Sequence, residues 1–508
     1  MGKDVGGTED RLMIRIKNFS FRFKGSERNV LDNVSLNINP GEFIVVTGPS
    51  GCGKSTLSLC ISGFSSELGT AQGSIDVDGK DVVGGNVFES SALVGIVQQD
   101  PESQLVALTV EEEVAFGPEN LNLPKNEIED RMEWGLRMAR ALHLRDRATF
   151  ELSGGEKQKV ALASMLAMRP KVLIFDEPTS NLDPVATKEI FDSIIALKRE
   201  TDMTIIVMEH KLHSLLDYAD TLILMDDGRI VEKGRPSEIL SKDNIKEYGI
   251  EVPHSDGHRS RCAIKRDGDV ILRMEGLEFS YGNRKVLDDV CFEARKGEMI
   301  CLMGENGSGK TTFLYMALGL LRPNKGRVKV FDTDIKRTSI STNARNVGLI
   351  FQNPNHQIFE DTVQGELEFA ANNFNMDVPD TDELLERFRL PVGKGTRPFK
   401  LSFGQKRRLN IASICSYGPK IILLDEPFIG QDFRNASNLM NILEELKGSE
   451  NLIMFVSHDP RMISKYCTRI VFFEDGRIKY DDGPEEVFKM MEADGKTEFL
   501  PRHMVMGI

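Results

Sequence analysis

The sequence lacks long hydrophobic runs, and its amino-terminal segment carries no targeting pattern. Apolar segments such as FIVV from Phe43 and IILL from Ile421 end after a few residues, far short of the roughly 20 residues needed to span a bilayer. The segment MGKDVGGTED has neither the apolar core of a signal peptide nor a myristoylation pattern. These absences predict a chain without a transmembrane helix that stays in the cytoplasm.

The sequence also lacks paired cysteines and an excess of basic residues. Its seven cysteines stand apart without CxxC spacing, which is typical of free thiols in a reducing compartment and argues against zinc or iron–sulfur sites. A net charge of −14 disfavours a protein that works mainly by binding nucleic-acid phosphates. We therefore expect no nucleic-acid partner.

Length and composition are those of a globular protein of more than one domain. The chain has 508 residues, of which 40% are hydrophobic and 28% charged, and a single core rarely grows to that length. Two domains are the first expectation from length alone.

Five motifs occur twice, in the same order and at nearly constant spacing. The stretches GPSGCGKST and GENGSGKTT begin at Gly48 and Gly304, 256 positions apart. The later pairs, which centre on a glutamine, an LS dipeptide, an Asp-Glu pair and a histidine, repeat at offsets of 253, 249, 249 and 248. Such constancy indicates two homologous domains.

The repeat predicts domain boundaries. We expect the first domain over residues 11–241, the second over 270–488, and a carboxyl-terminal tail over 489–508. Residues 242–269 are polar with little apolar periodicity and are predicted to form a linker, either mostly extended or a short packed lobe.

Each Gly-rich stretch follows a short apolar run and precedes a predicted helix. This context is typical of a P-loop, whose backbone N–H groups and helix amino terminus bind phosphates. Lys54 and Lys310 would reach the β and γ phosphates, while Ser55 and Thr311 would bind Mg²⁺. The predicted ATP-binding residues of the two loops are Gly48, Pro49, Ser50, Gly51, Cys52, Gly53, Lys54, Ser55 and Thr56, and Gly304, Glu305, Asn306, Gly307, Ser308, Gly309, Lys310, Thr311 and Thr312.

Two further apolar runs, KVLIFDEP and KIILLDEP, end in paired acids. Buried parallel strands often open into a site at their carboxyl ends. Asp176 and Asp425 are predicted to coordinate Mg²⁺, and Glu177 and Glu426 to polarise the attacking water. A surface acidic pair is the alternative reading, which the link to a P-loop in both copies disfavours.

The runs TIIVMEH and LIMFVSH each end in a histidine. A lone histidine at a strand end is more often structural than catalytic. Because the pattern repeats beside a P-loop in both copies, we predict that His210 and His458 contact the γ phosphate and hold the water.

In this order, the P-loop, the glutamine loop, LSGGE or LSFGQ, the Asp-Glu run and the histidine resemble the ATPase domains of ABC transporters over nearly the whole chain. The resemblance implies an α/β fold of two P-loop ATPase domains, each with a mostly parallel core sheet, an antiparallel β subdomain and an α-helical signature subdomain. It also implies ATP and Mg²⁺ as cofactors, with Gln99 and Gln352 sensing γ phosphate and metal. Phe23 and Tyr281 match the position that stacks on adenine; the first is Phe where the family usually has Tyr.

The family's geometry implies that the two domains pair head to tail. Each ATP would then lie between the P-loop of one domain and the signature motif of the other. Ser153, Gly154 and Gly155 would serve the nucleotide on Lys310. Ser402, Phe403 and Gly404 would serve the nucleotide on Lys54.

The second copy departs from the family pattern at two places. Phe403 stands where the first copy has Gly154, and Ile429 replaces Ser180 in the loop after the Asp-Glu pair. Both departures would face the nucleotide on Lys54, where the phenyl ring either crowds the approach to γ phosphate or points away. We hypothesise that the Lys54 site hydrolyses ATP more slowly than the Lys310 site.

The segments QQDPESQ and FQNPNHQ, with FGPENL in the first copy and FAANNF in the second, resemble energy-coupling factor and cobalt-type importers. The resemblance implies a peripheral subunit on the cytoplasmic face that drives micronutrient uptake, of a vitamin or a transition-metal ion such as cobalt or nickel. An integral membrane subunit would dock near the Gln99 and Gln352 loops, and a separate membrane subunit would bind substrate. The residues expected to line the docking groove are Glu111, Glu112, Phe116, Gln357 and Glu366.

Other functions remain open at this stage. A tandem ATPase of a sugar importer differs only in its partners. A soluble ABC protein of translation or DNA repair would also lack membrane spans, although the acidic charge and the absence of a long basic arm disfavour it. An ATP-binding regulator with little turnover is disfavoured because both Glu177 and Glu426 are present.

Overall fold

The computed structural model describes residues 12–210, 212, 215–242, 245, 248, 268–378, 380–501 and 504. The chain separates into two compact units, which divide after residue 255. Each unit contains a four-stranded antiparallel sheet and a six-stranded, mostly parallel sheet. This confirms the predicted α/β class with two repeated domains.

In the first unit, the antiparallel sheet has the order β2-β1-β4-β5 and the larger sheet the order β10-β9-β3-β8-β7-β6. All neighbours in the larger sheet are parallel except β10 and β9. The strands are β1 (Ile14–Phe23), β2 (Leu31–Ile38), β3 (Phe43–Thr47), β4 (Gly69–Val77), β5 (Lys80–Asp81), β6 (Val94–Val97), β7 (Val172–Asp176), β8 (Thr204–Met208), β9 (Thr221–Asp226) and β10 (Arg229–Gly234).

The helices of the first unit cover the larger sheet and build a helical subdomain, in which the fourth, fifth and sixth pack together. They are α1 (Lys54–Ile61), α2 (Ser65–Leu68), α3 (Val87–Ser91), α4 (Val110–Asn120), α5 (Lys125–Met138), α6 (Gly154–Ala167), α7 (Pro184–Glu200) and α8 (Pro236–Leu240), with 3-10 turns at Pro101–Ser103, Leu142–Leu144 and Thr149–Glu151.

The second unit repeats this plan, with sheet orders β12-β11-β14-β15 and β16-β17-β18-β13-β19-β20. Its strands are β11 (Val270–Tyr281), β12 (Arg284–Arg295), β13 (Met299–Gly304), β14 (Lys325–Val330), β15 (Thr333–Asp334), β16 (Val347–Ile350), β17 (Ile421–Leu424), β18 (Leu452–Val456), β19 (Arg469–Glu474) and β20 (Arg477–Asp482). Its helices are α9 (Lys310–Leu318), α10 (Ile340–Ala344), α11 (Val363–Phe374), α12 (Thr381–Arg387), α13 (Phe403–Cys415), α14 (Phe433–Lys447), α15 (Pro460–Tyr466) and α16 (Pro484–Ala493), with 3-10 turns at Ile335–Arg337, Pro354–Gln357, Pro398–Lys400 and Thr497–Phe499.

Strand β3 shows why the site forms where it does. All five of its residues are buried, as expected for a parallel strand covered on both faces. Phe43 and Val45 enter the core shared with the helical subdomain, whereas Ile44 and Val46 enter the core shared with the antiparallel sheet. The loop after β3 therefore leaves the sheet from a strand anchored on both faces.

The predicted linker and the predicted carboxyl-terminal tail each contain residues that pack against the adjoining unit. Ile245 is buried against the core of the first unit, whereas residues 249–267 of the predicted linker lie outside the described residues. In the second unit, α16 continues past residue 488, where the sequence predicted the domain to end. Phe499 is buried, and its ring centroid lies 5.2 Å from that of Phe472. Residues of the predicted tail thus pack against the second unit up to Leu500.

Candidate nucleotide sites

The two P-loops share one backbone conformation. Gly48, Gly51 and Gly53 have φ values of 147°, 83° and 106°, which L side chains rarely adopt. The corresponding glycines of the second unit have φ values of 136°, 81° and 104°. A Cβ at Gly48 would lie 2.0 Å from the carbonyl oxygen of Met225, so only glycine fits there.

Both P-loop lysines are buried and fold back over their own loops. The Lys54 Nζ donates to the carbonyl oxygens of Gly48 at 3.0 Å and Pro49 at 3.2 Å. The Lys310 Nζ donates to those of Gly304 at 2.8 Å and Glu305 at 2.7 Å. Each ammonium thus lies inside its loop at the amino terminus of α1 or α9, where the helix dipole also favours an anion.

The residues predicted to bind metal lie together in each unit. The Ser55 hydroxyl donates to Asp176 Oδ1 at 2.9 Å, and the Thr311 hydroxyl donates to Asp425 Oδ1 at 3.0 Å. Neighbouring oxygen ligands of an octahedral Mg²⁺ lie about 3 Å apart, so each pair fits two adjacent positions around this ion. Among the described residues, no group of three or more His, Cys, Asp or Glu side chains could hold a metal alone; Mg²⁺ commonly uses one carboxylate together with substrate phosphates.

Burial changes the pKa of both aspartates that are predicted to bind metal. It raises the pKa of Asp176 to about 6, although the Ser55 hydroxyl and the Lys54 charge oppose the shift. Burial also raises the pKa of Asp425, against the opposing effects of Thr311, Lys310 and Arg407. An ionised aspartate is therefore costly here until a cation neutralises it.

The residues predicted to act on water lie together in each unit, and in the first unit they meet beside the P-loop lysine. In the first unit, Glu177 Oε2 accepts from Gln99 Nε2 at 3.3 Å, and Glu177 Oε1 lies 3.0 Å from His210 Nε2 and 4.0 Å from Lys54 Nζ. The His210 Nε2 is also 3.2 Å from the Lys54 Nζ. The structure thus brings the glutamine, the glutamate, the histidine and the lysine into one cluster.

The second unit repeats the contact between glutamine and glutamate, with the histidine farther from the glutamate. Glu426 Oε2 accepts from Gln352 Nε2 at 3.1 Å, and Glu426 Oε1 lies 3.9 Å from His458 Nε2. Glu426 has a φ of 47°, as Glu177 has 46°. Non-glycine residues adopt this conformation when their surroundings impose it, often at functional sites.

The signature motifs begin the helices α6 and α13. Ser153 and Ser402 are the amino-terminal caps, and each forms a reciprocal capping box with the residue three positions on, Glu156 or Gln405. Apart from the buried Leu152 and Leu401, the motif residues are at least partly exposed, and a Cβ at Gly154 or Gly404 would meet no atom within 4 Å. Phe403 is 42% exposed, so its ring disturbs no packing within the second unit.

The aromatic residues predicted to stack on adenine end the first strand of each unit. Phe23 closes β1 and Tyr281 closes β11. Each packs edge-on against an inner phenylalanine, with centroid distances of 5.0 Å to Phe21 and 4.9 Å to Phe279. Tyr281 is 52% exposed, as a residue that stacks on a ligand must be.

Two of the residues expected to line a docking groove contact the backbone of their own loops. Gln357 turns back onto its own loop, accepting from Phe351 N at 3.0 Å and donating to Leu349 O at 2.7 Å. Glu366 is buried and accepts from two backbone N–H groups, of Phe359 at 2.9 Å and Glu360 at 3.0 Å. Glu366 was wrongly expected to line a groove, because its buried carboxylate is used by the backbone of its own loop. For Gln357, which is partly exposed, the role stays a prediction.

The other three expected groove residues differ among themselves. Glu111 pairs with Arg145, and Glu112 completes the capping box of Thr109 at the start of α4. Phe116 is exposed, as the prediction requires. Sequence reasoning missed further exposed apolar residues, at Val106, Leu108 and Phe150 in the first unit and Phe359 and Phe399 in the second.

Sequence reasoning also missed Arg407, which is fully buried beside the site of the second unit. The guanidinium donates to the carbonyl oxygens of Glu426 and Gln352. The sequence did indicate that this position differs between the copies, because the first copy has Gln158 there while the neighbouring motif residues repeat.

None of the helices in the described part of the chain has the length and apolar composition of a membrane span.

Sequence comparison agrees with the geometry of the two sites. The model of the ABC transporter family matches residues 31–180 and 287–429, once in each unit.

Several full-length relatives are similar. A protein of Methanosarcina acetivorans, provisionally named an ABC transporter ATP-binding protein, is 35% identical over 95% of this chain and 86% of its own length. YkoD of Bacillus subtilis, provisionally named an HMP/thiamine import ATP-binding protein, is 32% identical over 94% of this chain and 92% of its own length.

One solved structure matches about half of the chain. CbiO1 from Clostridium perfringens, described as part of the ABC transporter complex cbiONQ, is 32% identical and has a TM-score of 0.42, covering 47% of this chain and 94% of that one. The family match and the full-length relatives show that this chain belongs to the ABC transporter family, as an ATP-binding subunit with two ATPase domains in one polypeptide.

Proposed function

We propose that this protein is the energy-coupling ATPase of a membrane importer for a micronutrient, a vitamin or a transition-metal ion, and acts at the cytoplasmic face of the membrane. The observation that supports this most strongly is that both units hold the glutamate after the apolar strand in hydrogen-bond contact with a loop glutamine. A regulator that only binds ATP would not need two such contacts.

The proposed roles follow from the contacts. Lys54 and Lys310 bind the β and γ phosphates, and the pairs Ser55–Asp176 and Thr311–Asp425 would hold Mg²⁺, which offsets phosphate charge when bound. Glu177 and Glu426 accept a proton from the attacking water. The adjacent glutamine and histidine hold that water in line with the γ phosphate.

The two units act as a pair in this proposal. Each ATP lies between the P-loop of one unit and the signature motif of the other, so binding closes the pair and hydrolysis reopens it. Fusion in one chain raises the effective concentration of each unit for the other. It also permits the two sites to diverge.

The exposed apolar residues near α4 support a membrane partner. The stretch around Leu108 pairs with the stretch around Thr149, whose N–H donates to Leu108 O at 2.9 Å. Leu108 and Phe150, both 73% exposed, therefore lie on adjoining segments. We infer that Leu108, Phe116 and Phe150, here called the apolar set, receive a cytoplasmic helix of the transmembrane subunit, because exposed apolar clusters often mark protein interfaces.

The substrate class rests on a relative. The Bacillus subtilis protein, similar over nearly the whole chain, is named for HMP/thiamine import. Substrate contacts lie in a separate membrane subunit in this proposal. A vitamin is therefore favoured, and a metal ion fits the same coupling mechanism.

Co-purification tests the function. The tagged full-length chain, extracted from membranes of its native host in mild detergent, is expected to bring down hydrophobic subunits with a bound micronutrient identifiable by mass spectrometry. Recovery of ribosomes or DNA in place of membrane subunits would overturn the proposal.

A charge placed in the apolar set tests docking. Phe116→Glu and Phe150→Glu are expected to lower recovery of the membrane subunits at least about tenfold, because each buries a charge in an interface. Phe88, which is 56% exposed in the same unit, provides the matched control, Phe88→Glu. An equal loss with Phe88→Glu, or none with the first two variants, would contradict the assigned surface.

A further inference from the structure

Arg407 is a fully buried arginine at a junction of three catalytic segments in the second unit. It lies on α13 with no exposed surface. Its Nη1 donates to the carbonyl oxygen of Glu426 at 2.5 Å, and its Nη2 donates to that of Gln352. One planar guanidinium therefore ties the signature helix to the glutamine loop and to the turn after β17.

The two residues held by Arg407 also bind each other. The Gln352 Nε2 donates to Glu426 Oε2 at 3.1 Å, so backbone and side-chain bonds close a ring through Arg407, Gln352 and Glu426. Movement of either backbone would break a charge-assisted hydrogen bond, which is about twice as strong as a neutral one. The ring restricts how far Glu426 can turn from the glutamine.

The first unit has no charge at this position. Gln158, the counterpart of Arg407, donates its amide to Gln98 O at 3.2 Å. The turn after the glutamate also differs: Ser180 N donates to Glu177 O at 3.2 Å, whereas Ile429 N reaches Glu426 O only at 3.5 Å. In the second unit, Arg407 supplies the shorter bond to that carbonyl.

Phe403 covers this arginine. The Cζ of Arg407 lies 5.2 Å from the centroid of the Phe403 ring, one helical turn earlier on α13. An aromatic face at this distance stabilises a desolvated cation. Burial lowers the pKa of Arg407 to about 10, while Glu426 and Asp425 oppose the shift, so the guanidinium stays charged at neutral pH.

We propose that Arg407 is a positioning residue for the ATP site of the second unit, where it fixes Glu426 and Gln352 relative to each other beneath the cover of Phe403. The inference rests on the proposed role of Glu426 as the group that activates water. The ring Arg407–Gln352–Glu426 gives this site a brace that the first unit lacks, and the substitution of Phe for Gly in the second signature motif becomes part of that brace.

The test compares Arg407→Gln, which copies the first unit, with Glu426→Gln in the full-length chain. We expect Arg407→Gln to slow turnover at the second site by about tenfold, so that kcat falls towards the value left by Glu426→Gln, while the KM for ATP changes less than about twofold. Hydrogen exchange of segments 348–358 and 423–431 should accelerate together. Arg407→Lys should stay slow, because an ammonium lacks the planar fork that reaches two carbonyls.

The neighbouring arginine on α13 supplies the control. Arg408→Gln makes the same chemical change one residue on and should leave kcat and both exchange rates near the unmodified values. An unchanged kcat in Arg407→Gln, equal losses in Arg408→Gln, or full recovery in Arg407→Lys would overturn the inference. A Glu426→Gln variant with normal turnover would instead overturn the proposed role of that glutamate.

Discussion

Asp176 shows that the nucleotide site is built at a cost in stability. The residue is only 8% exposed, and burial raises the pKa of its carboxyl from 3.8 to about 6. Because folding raises this pKa, the protonated carboxyl favours the folded state. Its contribution to the free energy of unfolding is present in full below about pH 4 and is lost as the pH rises through about 6. At neutral pH the ionised side chain destabilises the ligand-free unit.

Removing this charge is expected to stabilise the protein. In EDTA and without nucleotide, Asp176→Asn should raise the free energy of unfolding at pH 7.5 by about 1–3 kcal/mol, because the amide still accepts from Ser55 without paying for a buried charge. The gain should shrink towards zero at pH 4.5, as measured by urea denaturation. Asp146→Asn, at an exposed position, is the control; a gain that is the same at every pH would contradict the buried-charge account.

At the residue scale, the sequence predicted the groups whose chemistry is encoded by a short local pattern. Lys54, Asp176, Glu177 and Gln99 came from motifs, and the structure brings them to one place. Arg407 was not predicted because a charged residue in a helix is usually solvated, and only packing under Phe403 shows that it is buried.

Buried acids near the glutamine loops illustrate the same limit. Glu113 accepts from Val106 N and Ala107 N, both at 2.8 Å, just as Glu366 does from its own loop. Glu113 and Glu366 occupy equivalent positions in the two copies, 253 residues apart. That equivalence does not reveal whether the carboxylate contacts a partner protein or the backbone of its own loop.

At the scale of an element, the signature serines combine a helix cap with a proposed nucleotide contact. The Ser153 hydroxyl accepts from Glu156 N at 3.4 Å, and the Glu156 carboxylate accepts from Ser153 N at 2.8 Å. Glycine also serves as a helix cap, at a cost of only a few tenths of a kcal/mol, whereas alanine costs about 1 kcal/mol.

Comparing alanine with glycine at position 153 separates the helix-capping role of the serine from its proposed contact with nucleotide. Ser153→Ala should lower the free energy of unfolding by about 1 kcal/mol and Ser153→Gly by much less, as measured by chemical denaturation. Both variants should lower kcat to a similar extent, because both remove the hydroxyl that the proposal places against ATP. If kcat instead followed stability across the two variants, capping alone would explain the serine.

The strands beside the site were predictable as elements because parallel strands buried on both faces read as unbroken apolar runs. The sequence could not predict which alternate residues of β3 face the helical subdomain, since both sets are apolar. Nor did it predict that α16 and the turn at Thr497–Phe499 continue the packing beyond residue 488, because a short amphipathic segment near a terminus resembles a tail.

For the whole molecule, the duplication made the fold predictable. Motifs at constant offset require two copies of one architecture. Each unit indeed contains one four-stranded antiparallel sheet and one six-stranded, mostly parallel sheet. The head-to-tail pairing of the units and the different rates of the two sites stay predictions, because they depend on contacts between surfaces that no motif spacing specifies.

The two glutamates proposed to activate water provide the test of unequal hydrolysis rates at the two sites. In the proposed pairing, Phe403 and Ile429 face the nucleotide on Lys54, so that site is the slower one and depends on Glu177. Glu177→Gln should therefore retain more ATPase activity than Glu426→Gln, by roughly threefold or more in kcat, a barrier difference of at least about 0.6 kcal/mol.

Both variants should be assayed at saturating MgATP after ATP binding has been verified. Ile429→Ser restores the residue of the first copy and should bring the two residual activities closer together, because it removes one bulky side chain from the slower site. Equal residual activity in Glu177→Gln and Glu426→Gln would show that the departures in the second signature motif and its following loop do not slow the Lys54 site. In that case the role of Phe403 would be confined to covering Arg407 within its own unit.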